Sequence, residues 1–165
     1  MNILITGKPG VGKTTLILKV VQDYQNVHGF FTREIRKNRK RVGFAIETLD
    51  GKKGILAHVD IQSPFRVSKY KVNLKDIEKI CIPSITKEGD LIVIDEIGKM
   101  ELFSEEFKQK VIEALDTGKV VATIMERPNL FCDKIKNRKD VNLFTVTEEN
   151  RNNLVDVVRM ELKNR

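Results

Sequence analysis

Eight residues near the start of the chain, Gly7-Lys8-Pro9-Gly10-Val11-Gly12-Lys13-Thr14, follow the pattern G-x-x-x-x-G-K-[ST]. Each part has a physical task. Glycines let the backbone turn and approach a ligand where a Cβ would intrude. Successive N–H groups of such a turn face inward and form a nest for an anion. A helix starting near Lys13 adds the positive end of its dipole. The Lys13 ammonium can then reach the outer phosphates of a bound polyphosphate, and the Thr14 hydroxyl can ligate Mg2+.

A second constellation lies in mid-chain at Leu91-Ile92-Val93-Ile94-Asp95-Glu96, an apolar strand that ends in two acids. This is the Walker B form. Asp95 would hold Mg2+, usually through a coordinated water. Glu96, one residue on, is placed to orient or deprotonate an attacking water. An Asp-Glu pair here suits hydrolysis better than transfer to a bound acceptor. Two further residues are candidates. Thr123 ends the next apolar strand and could sense the γ-phosphate or the water; the plain alternative is an ordinary strand threonine. Arg138 could stabilise transition-state charge; the plain alternative is a solvated cation.

The flanking elements must bring these pieces together. Residues 2–6 read as a buried parallel strand ended by Gly7. Leu16, Ile17, Val20, Val21 and Tyr24 then give a helix one apolar face. Residues 29–59 look antiparallel: strands at 31–36 and 42–48 joined by Lys37-Asn38-Arg39-Lys40, and a third at 55–59. Residues 62–72 show no periodicity, and 74–86 read as a helix whose end Pro83 leaves open. The last half alternates: strand 91–95, a helix after Ser104 ending near Gly118, strand 120–125, a short helix at 129–137, strand 143–146 and a C-terminal helix. Such alternation implies an α/β fold, a mostly parallel sheet covered on both faces, with an antiparallel hairpin elaboration. No linker or repeat divides the chain, which reads as a single domain, 1–165.

Composition narrows the function classes. Hydrophobic residues make up 41% and charged residues 32%, which excludes general disorder. No apolar run approaches a membrane span. Cys81 and Cys132 sit in no CxxC pair, so a reducing cytoplasm is the expected setting. Thirty Lys and Arg against 23 Asp and Glu give a net charge of +7, which favours anionic ligands. Six cations fall between Arg33 and Arg41. They read first as a soluble hairpin tip that blunts a sheet edge, with RNA binding as the alternative.

The residues also resemble a known family. Gly7 to Thr15, Gly29-Phe30-Phe31-Thr32-Arg33-Glu34-Ile35-Arg36, Ile94-Asp95-Glu96-Ile97-Gly98-Lys99-Met100-Glu101-Leu102-Phe103, Asn137-Arg138-Lys139-Asp140 and Thr147-Glu148-Glu149-Asn150-Arg151 occur in this order. Together they resemble the small thermostable, or cancer-related, nucleoside-triphosphatases. The resemblance implies a three-layer, RecA-like P-loop fold and Mg2+-dependent hydrolysis of ATP, GTP, CTP and UTP to diphosphate, with loose base preference. It places nucleotide contacts at Gly7–Thr14, with Thr15 beside them, and at Leu91, Ile92, Val93, Ile94, Asp95, Glu96, Ile97 and Gly98. It makes Glu96 the catalytic carboxylate beside Lys13. Without a dedicated arginine finger the turnover should be slow. A monomer is expected. The alternatives are a nucleotide, nucleoside or polynucleotide kinase, for which Arg66, Lys69 and Lys71 are the lid candidates, and a nucleotide-gated RNA-binding switch.

Overall fold

In strand β1 (Asn2–Thr6) every residue is buried, with Ile3 and Ile5 on one face and Leu4 on the other. A strand apolar on both faces needs cover on both, and this decides the layering. Ile3 and Ile5 pack in one cluster with Leu16, Ile17 and Val20 of α1 (Lys13–Val21) and with Leu154 and Val158 of α6 (Arg151–Lys163). Leu4 packs in the other with Phe107, Val111 and Leu115 of α4 (Glu105–Asp116) and with Cys132 and Ile135 of α5 (Leu130–Lys136). The result is three layers, helices on either side of one nine-stranded sheet. Each fully buried Ile or Leu adds about 1.5–3 kcal/mol. The computed structural model describes residues 1–164.

The remaining strands are β2 (Val27–Lys37), β3 (Lys40–Thr48), β4 (Lys53–His58), β5 (Arg66–Val67), β6 (Tyr70–Val72), β7 (Leu91–Ile97), β8 (Val120–Ile124) and β9 (Val141–Thr145). Their order across the sheet is β5-β6-β4-β3-β2-β7-β8-β1-β9. From β2 to β9 neighbours run parallel; from β2 outward to β5 they run antiparallel. β2 serves both halves: Val27–Phe30 pair with β7, and Phe30–Lys37 pair with β3. Gly29 permits this junction. Its φ is +111°, and a Cβ there would lie 1.9 Å from the Val93 carbonyl oxygen.

The alternating strands and helices stand where periodicity predicts them. Ser104 caps α4 as expected, accepting the Phe107 N–H at 3.1 Å. Two segments differ. Residues 62–72 contain the small hairpin β5–β6, too short to show a period of two. The helical stretch from 74 is broken into α2 (Leu74–Asp76), a π-turn at Ile77–Cys81 and α3 (Ile82–Ser84). Pro83 falls in the first turn of α3, where its missing N–H costs little.

With β8 between β1 and β7, the carboxyl ends of all three strands meet at one edge of the sheet. Open α/β sheets hold ligands at that edge.

Candidate active site

β1 runs directly into the glycine loop. Gly7 adopts φ +152°, and a Cβ there would meet the Val146 carbonyl oxygen at 2.7 Å, so only glycine fits between the loop and the end of β9. Gly12, in the left-handed region, turns the chain into α1. The first N–H groups of α1 lack partners within the helix and point back over the loop. Arg151, from the start of α6, lies over this turn: its Nη1 is 3.5 Å from the Val11 carbonyl oxygen.

Two side chains and one backbone N–H converge on the buried Asp95. Thr14 Oγ1 donates to Oδ2 at 2.8 Å, and Thr123 Oγ1 donates to Oδ1 at 2.6 Å. The backbone N–H of Thr32, on β2, donates to the same carboxyl. Lys13 Nζ donates to the Gly7 carbonyl oxygen at 2.7 Å and stands 3.6 Å from Glu96 Oε2. Glu96 packs against Gly98, where a Cβ would fall 2.4 Å from Oε1. The Glu96 N–H donates to Glu101 Oε2 at 3.3 Å.

Asp95, Glu96 and Glu101 are thus three carboxyls beside one ammonium. Burial raises the Asp95 pKa against the pull of its Thr123 and Thr14 hydrogen bonds. Burial also raises that of Glu96, which Lys13 opposes and Asp95 reinforces. Glu101, only 3% exposed, is pushed well above the usual carboxylate range by burial and then by Glu96. The Thr14 hydroxyl and the Asp95 carboxylate are oxygen donors of the kind a hard divalent cation such as magnesium takes, and they could hold one here. Among the described residues no cluster of three His, Cys, Asp or Glu side chains forms an all-protein metal cage.

The structure brings together Gly7–Thr14, Asp95, Glu96 and Thr123. It narrows the Leu91–Gly98 stretch. Leu91, Ile92, Val93, Ile94 and Ile97 are sealed in the core; they fix Asp95 and Glu96 at the strand end and do not line the pocket. It also corrects Arg138. The Arg138 guanidinium binds Asp140 and Asp116, each at 2.8 Å. Asp140 immediately precedes β9, and its carbonyl accepts the Asn2 N–H at the opening of β1. Arg138 therefore sits at the amino end of the strands, about 15 Å along β1 from the glycine loop, and cannot reach a γ-phosphate held there. Sequence reasoning assigned no role to Glu101 or to Arg151. A single acid between Met100 and Leu102 was the available signal for Glu101.

An NTPase family model matches residues 2–159. The chain is 53% identical to "Nucleoside-triphosphatase THEP1" of Thermotoga maritima over 99% of this chain and 96% of that protein. It is 39% identical to the human "Cancer-related nucleoside-triphosphatase" over 95% of this chain and 94% of that protein. The crystal structure of THEP1 from Aquifex aeolicus superposes with a TM-score of 0.89 at 37% identity, covering 98% of this chain and 99% of that one. With the glycine loop and the strand-end acids meeting at one edge of such a sheet, the chain belongs to the NTPase family and is a nucleoside-triphosphatase.

Proposed function

We propose that the chain hydrolyses magnesium-bound nucleoside 5′-triphosphates to diphosphate and phosphate, slowly and with loose base preference. The observation that carries this reading is the convergence of Thr14, Asp95 and Thr123 beside the Lys13–Glu96 pair.

The backbone N–H groups of Gly7–Thr14 and the Lys13 ammonium hold the triphosphate. Thr14 and Asp95 would hold Mg2+, which supplies positive charge against the developing charge on the phosphate oxygens. Thr123 and Thr32 fix Asp95 in place. Glu96 orients a water in line with the γ-phosphorus and takes its proton as the new P–O bond forms. The bond to the β-phosphate oxygen breaks, and its electron pair leaves with the diphosphate. Burial raises the proton affinity of Glu96, which suits a base.

Slow turnover follows from where the arginines are engaged. Of those lining the pocket at Glu96, Arg33 pairs with Glu47 at 2.8 Å and Arg41 with Glu34 at 3.3 Å. Arg138 is remote. P-loop enzymes that gain an arginine at the γ-phosphate accelerate by roughly 10³–10⁵, so the isolated chain should stay below about 100 s⁻¹. Loose base preference is supported by the Asn137-Arg138-Lys139-Asp140 stretch, which only loosely matches the guanine-reading N-K-x-D form and lies at the far end of the strands. Two buried free thiols, Cys81 and Cys132, fit a reducing cytoplasm, and among the described residues no helix is long and apolar enough to cross a membrane.

Phosphate release from ATP, GTP, CTP and UTP, with Mg2+ and with a chelator, tests the proposal. The four rates should agree within about an order of magnitude and vanish with the chelator. Lys13→Ala should abolish all four. A strict preference for one base, or full activity without metal, would overturn it.

A further inference from the structure

The pocket at Glu96 is larger than an attacking water requires. It encloses about 390 Å³, whereas a water's share of liquid volume is about 30 Å³. One end carries Lys13, Thr14, Asp95 and Glu96, where the γ-phosphate and its water belong. The opposite wall is built by the antiparallel extension: Phe44 from β3, Leu56 from β4 and Val67 from β5, closed by Met100 from the turn after β7. Arg33, Arg41 and Lys99 stand among these apolar groups. The Arg41 guanidinium lies over the Phe44 and Tyr70 rings, 5.2 and 5.4 Å from their centroids. Hydrolysis needs neither the apolar wall nor the cations.

We propose that this pocket admits a second substrate, the free hydroxyl of a nucleotide, either alone or at the end of an oligonucleotide, and that the chain transfers the γ-phosphoryl group to it. The inference rests on the reading of Gly7–Thr14 as the triphosphate site and Glu96 as the base. Three observations carry it. Glu96 faces the same pocket, and an alcohol must lose a proton on attack just as water does. The walls offer an apolar surface for a base, with Lys99, which makes no ion pair among the described residues, for its phosphate and Arg33, paired with Glu47, beside it. Arg33 and Arg41 also bound the outer part of the β2–β3 hairpin, which continues through the exposed Arg36, Lys37, Arg39 and Lys40; Glu34 is the only acid between them, and it pairs with Arg36 and Arg41. Such a track suits a phosphate backbone. In the step, the acceptor oxygen bonds to the γ-phosphorus. The bond to the β-phosphate oxygen breaks, its electron pair leaves on the nucleoside diphosphate, and the hydroxyl proton passes to Glu96 and then to solvent. The products are a nucleoside diphosphate and a phosphomonoester.

The test incubates the full chain with Mg2+ and γ-labelled ATP, adding nucleoside 3′-monophosphates, nucleoside 5′-monophosphates or a short 5′-hydroxyl oligoribonucleotide in separate arms. The expected result is label on an acceptor, with less released as inorganic phosphate. Label on the oligonucleotide alone identifies a nucleic-acid end as the source; label on mononucleotides identifies a free nucleotide. ATP consumption with label only in inorganic phosphate in every arm overturns the acceptor site and leaves hydrolysis standing. No consumption in any arm overturns both. Arg33→Glu should raise the KM for the labelled acceptor by about tenfold or more, the loss of one charge-assisted contact. An unchanged acceptor KM overturns this pocket as its site.

Discussion

Replacing Thr123 with valine keeps the shape of a side chain that has no solvent exposure and removes one hydroxyl. That hydroxyl donates to Asp95 at 2.6 Å, and Asp95 itself is 3% exposed, so no water can take its place without disturbing the core. A hydrogen bond to a charged group contributes about 1.5–3 kcal/mol. The loss should fall towards the lower end, because Asp95 keeps its donors from Thr14 and Thr32. In urea unfolding followed by circular dichroism, that corresponds to a midpoint lowered by roughly 1 M. The catalytic effect should be larger. With one of its three tethers gone, the carboxylate is free to shift, and a misplacement of about 1 Å costs on the order of 10²-fold in rate. Thr123→Ser restores the donor and should recover most of both losses. A Thr123→Val protein with wild-type midpoint and wild-type turnover would refute the view that Thr123 acts through Asp95.

Glu101→Gln removes a carboxyl whose folded-state pKa is raised, above all by burial and then by Glu96. Between the unfolded and folded pKa values the native state binds the extra proton, so wild-type stability falls as pH rises through that window. The thermal midpoint of Glu101→Gln, relative to wild type, should therefore be more favourable at pH 8 than at pH 5; a gap that stays constant or narrows contradicts the assignment. Gly29→Ala forces a Cβ to within 1.9 Å of the Val93 carbonyl oxygen. It should cost more than about 4 kcal/mol, seen as a collapsed melting temperature or loss of soluble protein. Arg138→Ala should leave turnover within about twofold and cost no more than about 1 kcal/mol, as expected for partly exposed ion pairs. A hundredfold loss in steady-state ATPase rate would return Arg138 to the active site.

The parts of the site that a reader of the sequence could find are those written in consecutive residues. The Gly7–Thr14 loop is one such run, and the Leu91–Glu96 strand is another. The three layers followed from strands apolar on both faces and helices apolar on one. What was hidden depends on strand direction and on distant pairings. Arg138 invited a role at the γ-phosphate, yet a residue just before β9 must lie at the amino end of a parallel sheet, opposite the loop that follows β1. Phe44, Leu56 and Val67 come from three different strands and share a wall only because β3, β4 and the β5–β6 hairpin fold across the edge of β2. Glu101 sits in a 3-10 turn, Glu101–Phe103, where neither helical nor strand periodicity applies, so its burial left no mark in the pattern. The π-turn at Ile77–Cys81 lies inside a stretch whose pattern reads as a plain helix, and one widened turn does not change that pattern.

Glu96→Gln tests the central claim most directly, because it removes the proton acceptor and leaves the triphosphate's own contacts intact. Calorimetry with Mg2+ and a non-hydrolysable ATP analogue should give a Kd within about threefold of wild type, while kcat falls by about 10²–10⁴. Turnover at the wild-type rate would contradict the account and take the proton from the attacking water elsewhere.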